Sequence, residues 1–283
     1  MSMSIAAQYI PAAYSLTAVG VWGASDFLGG VGARRVNAFL FTAIVHGCGL
    51  VVVGALALMT HAPFPGTVGL LWSLVAGMLS GVSLVFFYRA LACGNMGLIA
   101  PVAAVLSAGI PAIVTAFASG FPGMRQVSGF ILAGVGVWLI SRTEGTAGRP
   151  EGLGVAVLAG IGFAGWYLCA HRAGNSSALW VAACSRSASF VLTAIIVVVT
   201  RQLRAMPMPV LTIAVVAGIL DVTGSVVFIR AAQLGRLDAA VVLSSLYPAV
   251  TVVLARIFLH EHFSRARTIG MVAALVAVPM IAG

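Results

Sequence analysis

Charge is the scarcest commodity in this 283-residue chain. Only 7% of its residues are charged and 61% are hydrophobic, where a soluble domain carries about 25% charged residues. No water-soluble interior of this size can hide that much apolar surface, so the soluble class is excluded and lipid is the matching solvent. Lysine is missing altogether, which rules out a lysine nucleophile or Schiff base. The net charge of +9 therefore rests on arginine alone. The arginines stand singly or in pairs between apolar runs, without a basic stripe of interleaved aromatics, so nucleic acid is not an expected partner. They read as charges flanking membrane spans.

Other absences narrow the chemistry. The four cysteines, Cys48, Cys93, Cys169 and Cys184, form no CxxC and lie in or beside apolar runs. They read as small core residues. No Ser/His/Asp set, glycine-rich phosphate loop or paired carboxylate site is legible. His260 and His262 flank Glu261, but histidines two apart do not share a helical face as zinc ligands four apart do. The chain is therefore expected to be no enzyme and to carry no cofactor and no metal. The N-terminus lacks a basic n-region, so the first apolar run reads as a retained helix.

What the chain does have is apolar length. A bilayer core about 30 Å thick needs about 20 apolar residues per helix. Arginines, prolines and polar clusters divide the sequence into ten such runs: 11–32, 37–59, 68–91, 97–119, 126–142, 152–171, 177–200, 209–232, 238–259 and 266–282. The expected fold is an all-α integral membrane protein of ten transmembrane helices. Residues 1–143 form a first five-helix repeat, 144–151 a linker and 152–283 a second repeat.

The halves echo one another. A shift of 141 residues matches Ala76, Gly77 and Leu79 to Ala217, Gly218 and Leu220, and Val85, Phe87, Arg89 and Ala90 to Val226, Phe228, Arg230 and Ala231. A shift of 140 matches Ala38, Ala43 and Val51 to Ala178, Ala183 and Val191, and sets His46 opposite Arg186. Five is odd, so two such repeats lie in opposite orientations. Inverted repeats are the architecture of alternating-access transporters, with substrate near the midplane. Loops after the odd-numbered helices hold eight arginines and the opposite side holds three. Positive-inside counting then puts both termini outside the cytoplasm.

Ionisable groups within apolar spans are costly unless paired or hydrated. Asp26, His46, Arg186 and Asp221 are such groups, and they are candidates for a polar cavity that binds a zwitterion or passes a proton. The competing reading is a buried structural pair, Arg186 with Asp221. Pro101, Pro111 and Pro248 are expected helix bends. Ser244, Ser245 and Tyr247 gather hydroxyls and a ring at the last of these, and Trp166 and Tyr167 could stack on a solute. Packing is the alternative for each. Gly77 and Gly81 form a GxxxG step suited to close helix contact.

Several strings resemble the EamA-type branch of the drug/metabolite transporter superfamily. They are WGASDFLGG at 22–30 followed by Arg34 and Arg35, YRALACGNMGLIAPVAAVLSAGIPAI at 88–113, GILDVTGSVVFIRAA at 218–232, and SSLYPAVTVVLARIFLHE at 244–261. The family pattern closes its fourth and ninth helices with a Gly-Glu step. Here the second half has His260-Glu261 and the first has Gly120-Phe121. That departure favours a structural role for Glu261, neutralising Arg265 or Arg267. The resemblance implies a ten-helix bundle in the inner (plasma) membrane of a bacterial cell. It implies a secondary transporter exporting a small organic metabolite, amino-acid-like or drug-like, by alternating access. An intramembrane enzyme or lipid-handling protein is the alternative. The expected partners are a small-molecule substrate, the lipid bilayer and a coupling proton, in a monomer or homodimer.

Overall fold

Short polar punctuation between long apolar runs sets every helix end in this chain. The computed structural model describes residues 5–94, 96–119, 123–141, 151–234, 237–244, 246–261 and 264–281. Among them the regular elements are all helices. In order they are α1 (Ile5–Ala33), α2 (Ala38–Met59), α3 (Thr67–Cys93), α4 (Met96–Ser119), α5 (Met124–Ser141), α6 (Leu153–Arg172), α7 (Ala178–Val199), α8 (Met208–Leu234), α9 (Leu237–Ser244), α10 (Tyr247–Phe258) and α11 (Arg265–Ile281). Five of them, α2, α3, α6, α7 and α8, are long and apolar enough to cross a membrane.

Ten helices are expected from the sequence, and the structure departs from that in one place. The expected span 238–259 holds two helices, α9 ending at Ser244 and α10 beginning at Tyr247 after a turn at Leu246. Pro248 is the second residue of α10. A proline has no N–H to donate and is best tolerated in a helix's first turn, so here the chain stops and restarts rather than bending. By contrast, α4 runs on as helix through Pro101 and Pro111. The first helix starts at Ile5, ahead of the expected 11, and passes through Pro11. The expected linker lies outside the described residues except for its last residue.

Local chemistry ends α2 and α7 in the same way. Each is 22 residues long, and they begin 140 residues apart. The Asn37 side chain accepts hydrogen bonds from the Phe39 and Leu40 amides and caps α2; Ser177 holds the matching position before α7. At the far ends, Thr60 and Thr200 each donate a hydroxyl to the carbonyl four residues back. The next residues, His61 and Arg201, adopt left-handed φ of 49° and 52°. The amides of Ala62 and Gln202 then close on Ala57 and Val197, the backbone pattern that satisfies orphan helix carbonyls. The pair α3 and α8 repeats the match, with 27 residues each, starting 141 apart.

Helix packing follows a reciprocal plan. α1 packs on α8 and α6 on α3; α2 packs on α7 and α5 on α11; α4 lies against α6 as α10 lies against α1. Small residues permit the close approaches. A side chain at Gly77 would collide with the Ser185 carbonyl and Ala188 on α7, and one at Gly218 would collide with the Val45 carbonyl and Cys48 on α2. Both sets of partners obey the 140–141-residue register. The core between the helices is rich in fully buried alanine, including Ala76, Ala156, Ala214 and Ala217. Large apolar side chains such as Val51, Leu58, Val68, Leu71, Val198 and Val199 point outward. In water such a surface would be a liability; facing acyl chains it is the expected one.

Candidate functional site

Two polar residues from α1 anchor that helix to α8. The Trp22 indole donates to the Asp221 carbonyl at 3.1 Å, and the Ser25 hydroxyl donates to the Ala217 carbonyl at 2.9 Å. On the other flank, the Thr251 hydroxyl of α10 donates to the Gly23 carbonyl at 3.1 Å. α1 is thereby held between α8 and α10, and its Asp26 is presented to the interior.

The interior holds a narrow, partly open cavity. Its polar wall is Asp26, Ser80, Arg186, Asp221 and Ser225. Its aromatic wall is Trp22, Phe163, Trp166, Tyr167 and Tyr247. Helices α1, α3, α6, α7, α8 and α10 all contribute, so both halves build it.

Arg186 is the hub of the polar wall. It is 3% exposed, midway along α7. One terminal nitrogen lies 2.8 Å from a carboxylate oxygen of Asp221 and donates to the Ser225 hydroxyl at 2.6 Å. The approach to Asp221 is too oblique to count as a hydrogen bond, so the contact is an ion pair. Ser225 passes its own proton on to the Asp221 carbonyl at 3.0 Å. The other terminal nitrogen meets the Ser80 hydroxyl at 3.3 Å and His46 Nδ1 at 3.2 Å. A guanidinium only donates, so Nδ1 is the acceptor and the imidazole proton sits on Nε2. That Nε2 and the Arg186 Nε have no partner among the described residues.

The two residues that meet there are the pair that the 140-residue register sets opposite one another. The same register puts Trp166 opposite Asp26 and, at 141, Asp221 opposite Ser80, all four on the cavity lining.

The structure brings together most of the sequence candidates and leaves some apart. Asp26, Trp166, Tyr167, Arg186, Asp221 and Tyr247 line the cavity. His46 stands behind Arg186, fully buried. Ser244 is buried with an unpartnered hydroxyl at the end of α9 and is not part of the lining; Ser245 lies outside the described residues. Pro101, Pro111 and Pro248 are buried helix residues away from the cavity wall. Trp22, Ser80, Phe163 and Ser225 were not singled out from the sequence. The repeat register was the signal that could have found Ser80, as the counterpart of Asp221.

Glu261 acts elsewhere, and not on the expected partner. Its carboxylate accepts from the Met96 and Gly97 amides at 3.2 and 3.3 Å and lies 3.6 Å from Arg34. It therefore caps the start of α4 in the other half, where a helix's unpaired N–H groups and dipole favour an anion. The basic neighbour is Arg34 rather than Arg265, because the chain turns away at His260, φ 52°. The side chain of Arg267 lies outside the described residues.

Comparison with known proteins agrees with this architecture. A crystal structure superposes on the chain with a TM-score of 0.68 at 19% identity, over 95% of each chain; at that identity the likeness is one of fold. No curated protein matches the chain. Residues 151–283, the whole of the second half, match the EamA-like transporter family. Over those residues the chain is similar to the EamA-type transporters, and that match together with its long apolar helices points to a multi-pass membrane protein.

Proposed function

We propose that the chain is a secondary transporter built from two inverted five-helix repeats, exporting a small organic metabolite across a bacterial inner membrane by alternating access. The carrying observation is the cavity lined from both halves, with Arg186 on its wall and the residue at the matching position, His46, behind it. Reciprocal helix pairing supports the repeat: α1 on α8 answers α6 on α3, and the α2–α7 and α5–α11 pairs answer themselves. A cavity shared by two such halves can open to either face if the halves rock about it. Its mixed lining, one aromatic wall and one charged wall, suits a solute with an apolar body and a charged group.

The test is flux in proteoliposomes against a panel of radiolabelled amines, amino acids and neutral metabolites, with and without an imposed pH gradient. Saturable movement of one class, faster than in empty vesicles, is the expected result. Acceleration by the gradient would identify the proton as coupling partner. Movement of no solute above the empty-vesicle rate would end the transporter reading.

A further inference from the structure

The charged wall of the cavity is not balanced. Arg186 spends its two terminal nitrogens on Asp221, Ser225, Ser80 and His46. A solute carboxylate would have to displace one of them to reach it. Asp221 is likewise matched by Arg186. Asp26 is different. It is 7% exposed, it lines the cavity, and no hydrogen bond or ion pair holds it among the described residues. The buried set thus holds two carboxyl groups, Asp26 and Asp221, and one guanidinium, Arg186.

The aromatic wall stands around the same space. Trp22 meets Trp166 at 5.9 Å between ring centroids, 77° apart in plane, and Tyr247 at 6.2 Å, also 77°. Trp166 meets Tyr167 at 5.1 Å and 63°. Trp22, Trp166, Tyr167 and Tyr247 all line the cavity with Asp26. Ring faces carry negative potential and attract cations, most strongly where water is excluded.

We propose that the solute is an organic monocation: an amine or quaternary ammonium whose charged head pairs with Asp26 between Trp22, Trp166, Tyr167 and Tyr247. The inference rests on the transporter reading for its consequence, since it names the class of solute carried. It does not extend to zwitterions, because both terminal nitrogens of Arg186 are already engaged and its Nε is buried.

Three probes of one shape test the charge rule: phenylethylamine, phenylalanine and 2-phenylethanol. Binding to the purified full chain is followed by tryptophan fluorescence, which Trp22 and Trp166 report from inside the cavity. Phenylethylamine should saturate the signal at least about tenfold more tightly than either relative, a preference of about 1.4 kcal/mol. Asp26→Asn should remove that preference; the change keeps the side chain's shape and breaks no described bond, and thermal unfolding would confirm that the variant is folded. Asp26→Glu, which keeps the charge, should retain the preference. Equal or tighter binding of phenylalanine or phenylethanol, no binding of the amine, or an unchanged preference in folded Asp26→Asn would each overturn the proposal. Flux separates the two readings. Asp26-dependent binding of phenylethylamine without movement across vesicles would leave the site standing and remove transport. Movement of only zwitterionic or neutral solutes would do the reverse.

Discussion

The central arginine shows how a single residue holds an apolar protein together. Several kcal/mol are lost when each ion leaves water, and that is offset only when the pair is close and its remaining donors are satisfied. Arg186 meets the condition at its terminal nitrogens through Asp221, Ser225, Ser80 and His46, and only its Nε lacks a partner among the described residues. Removing one partner leaves the other uncompensated, at a cost of about 3–5 kcal/mol. Asp221→Asn should therefore lower membrane abundance, and Asp221→Asn combined with Arg186→Gln should recover much of it. Quantifying purified protein for both singles and the double checks this; a double as scarce as the singles would refute the pairing as a structural device. Glu261 offers a milder test. Glu261→Gln removes the charge facing the Met96 and Gly97 amides, and an anion at a helix start is worth about 1 kcal/mol. The midpoint of thermal unfolding in detergent should fall modestly, and Arg34→Gln should lower it less. The sequence made Arg186 and Asp221 conspicuous because charge in an apolar run is rare. It could not reveal the reach of Glu261 to α4, because that contact spans 165 residues and depends on how the halves are set together.

At the scale of helices, small residues and prolines decide what can approach what. Gly77 and Gly218 sit at equivalent contacts, one on α7 and one on α2. Gly77→Leu and Gly218→Leu should each force two backbones apart. Overpacking of this kind costs about 1–3 kcal/mol, and each variant should show reduced abundance and a lower unfolding temperature. Gly54→Leu, with nothing near its Cβ position, should do neither. The break before α10 has its own consequence. It places Tyr247 in the first turn of α10, on the cavity wall. Tyr247→Ala should weaken solute affinity several-fold while leaving abundance near normal, read by paired binding and quantitation assays. Helix order and approximate span were legible from apolar run lengths. The stop at Ser244 and restart at Tyr247 was not, because a proline inside an apolar run is compatible with a bend, a break or a straight buried helix. Pro101 and Pro111, inside unbroken α4, show how much the surrounding packing decides.

Across the whole molecule, the arginine count predicts an orientation: eight against three would put the loops after the odd-numbered runs of the ten read from the sequence in the cytoplasm. A cysteine replacing Thr146, in a chain cleared of its native cysteines, should react with an impermeant reagent only from the cytoplasmic face; reaction from outside alone would reverse the assignment. The repeat itself was visible in the sequence as a shift, but alanine- and glycine-rich chains match by chance. What the sequence could not supply was the contact of His46 with Arg186, which turns a numerical offset into a place in space.

That place bears on how the molecule behaves when no solute is present. Two identical halves would give an inward-open and an outward-open shape of equal energy, and an idle population split evenly between them. The pairs α2 with α7 and α3 with α8 come close to that condition, equal in length and reciprocal in contact. The side chains do not: an indole answers a carboxylate at Trp166 and Asp26, and a hydroxyl answers a carboxylate at Ser80 and Asp221. In the proposed alternating-access cycle, rocking would exchange the surroundings of each pair, and the two shapes would then differ in energy through these residues. A difference of about 1.4 kcal/mol leaves ten molecules waiting on one side for each one on the other. The side of the membrane on which the empty protein rests is thus set by a handful of side chains at the centre.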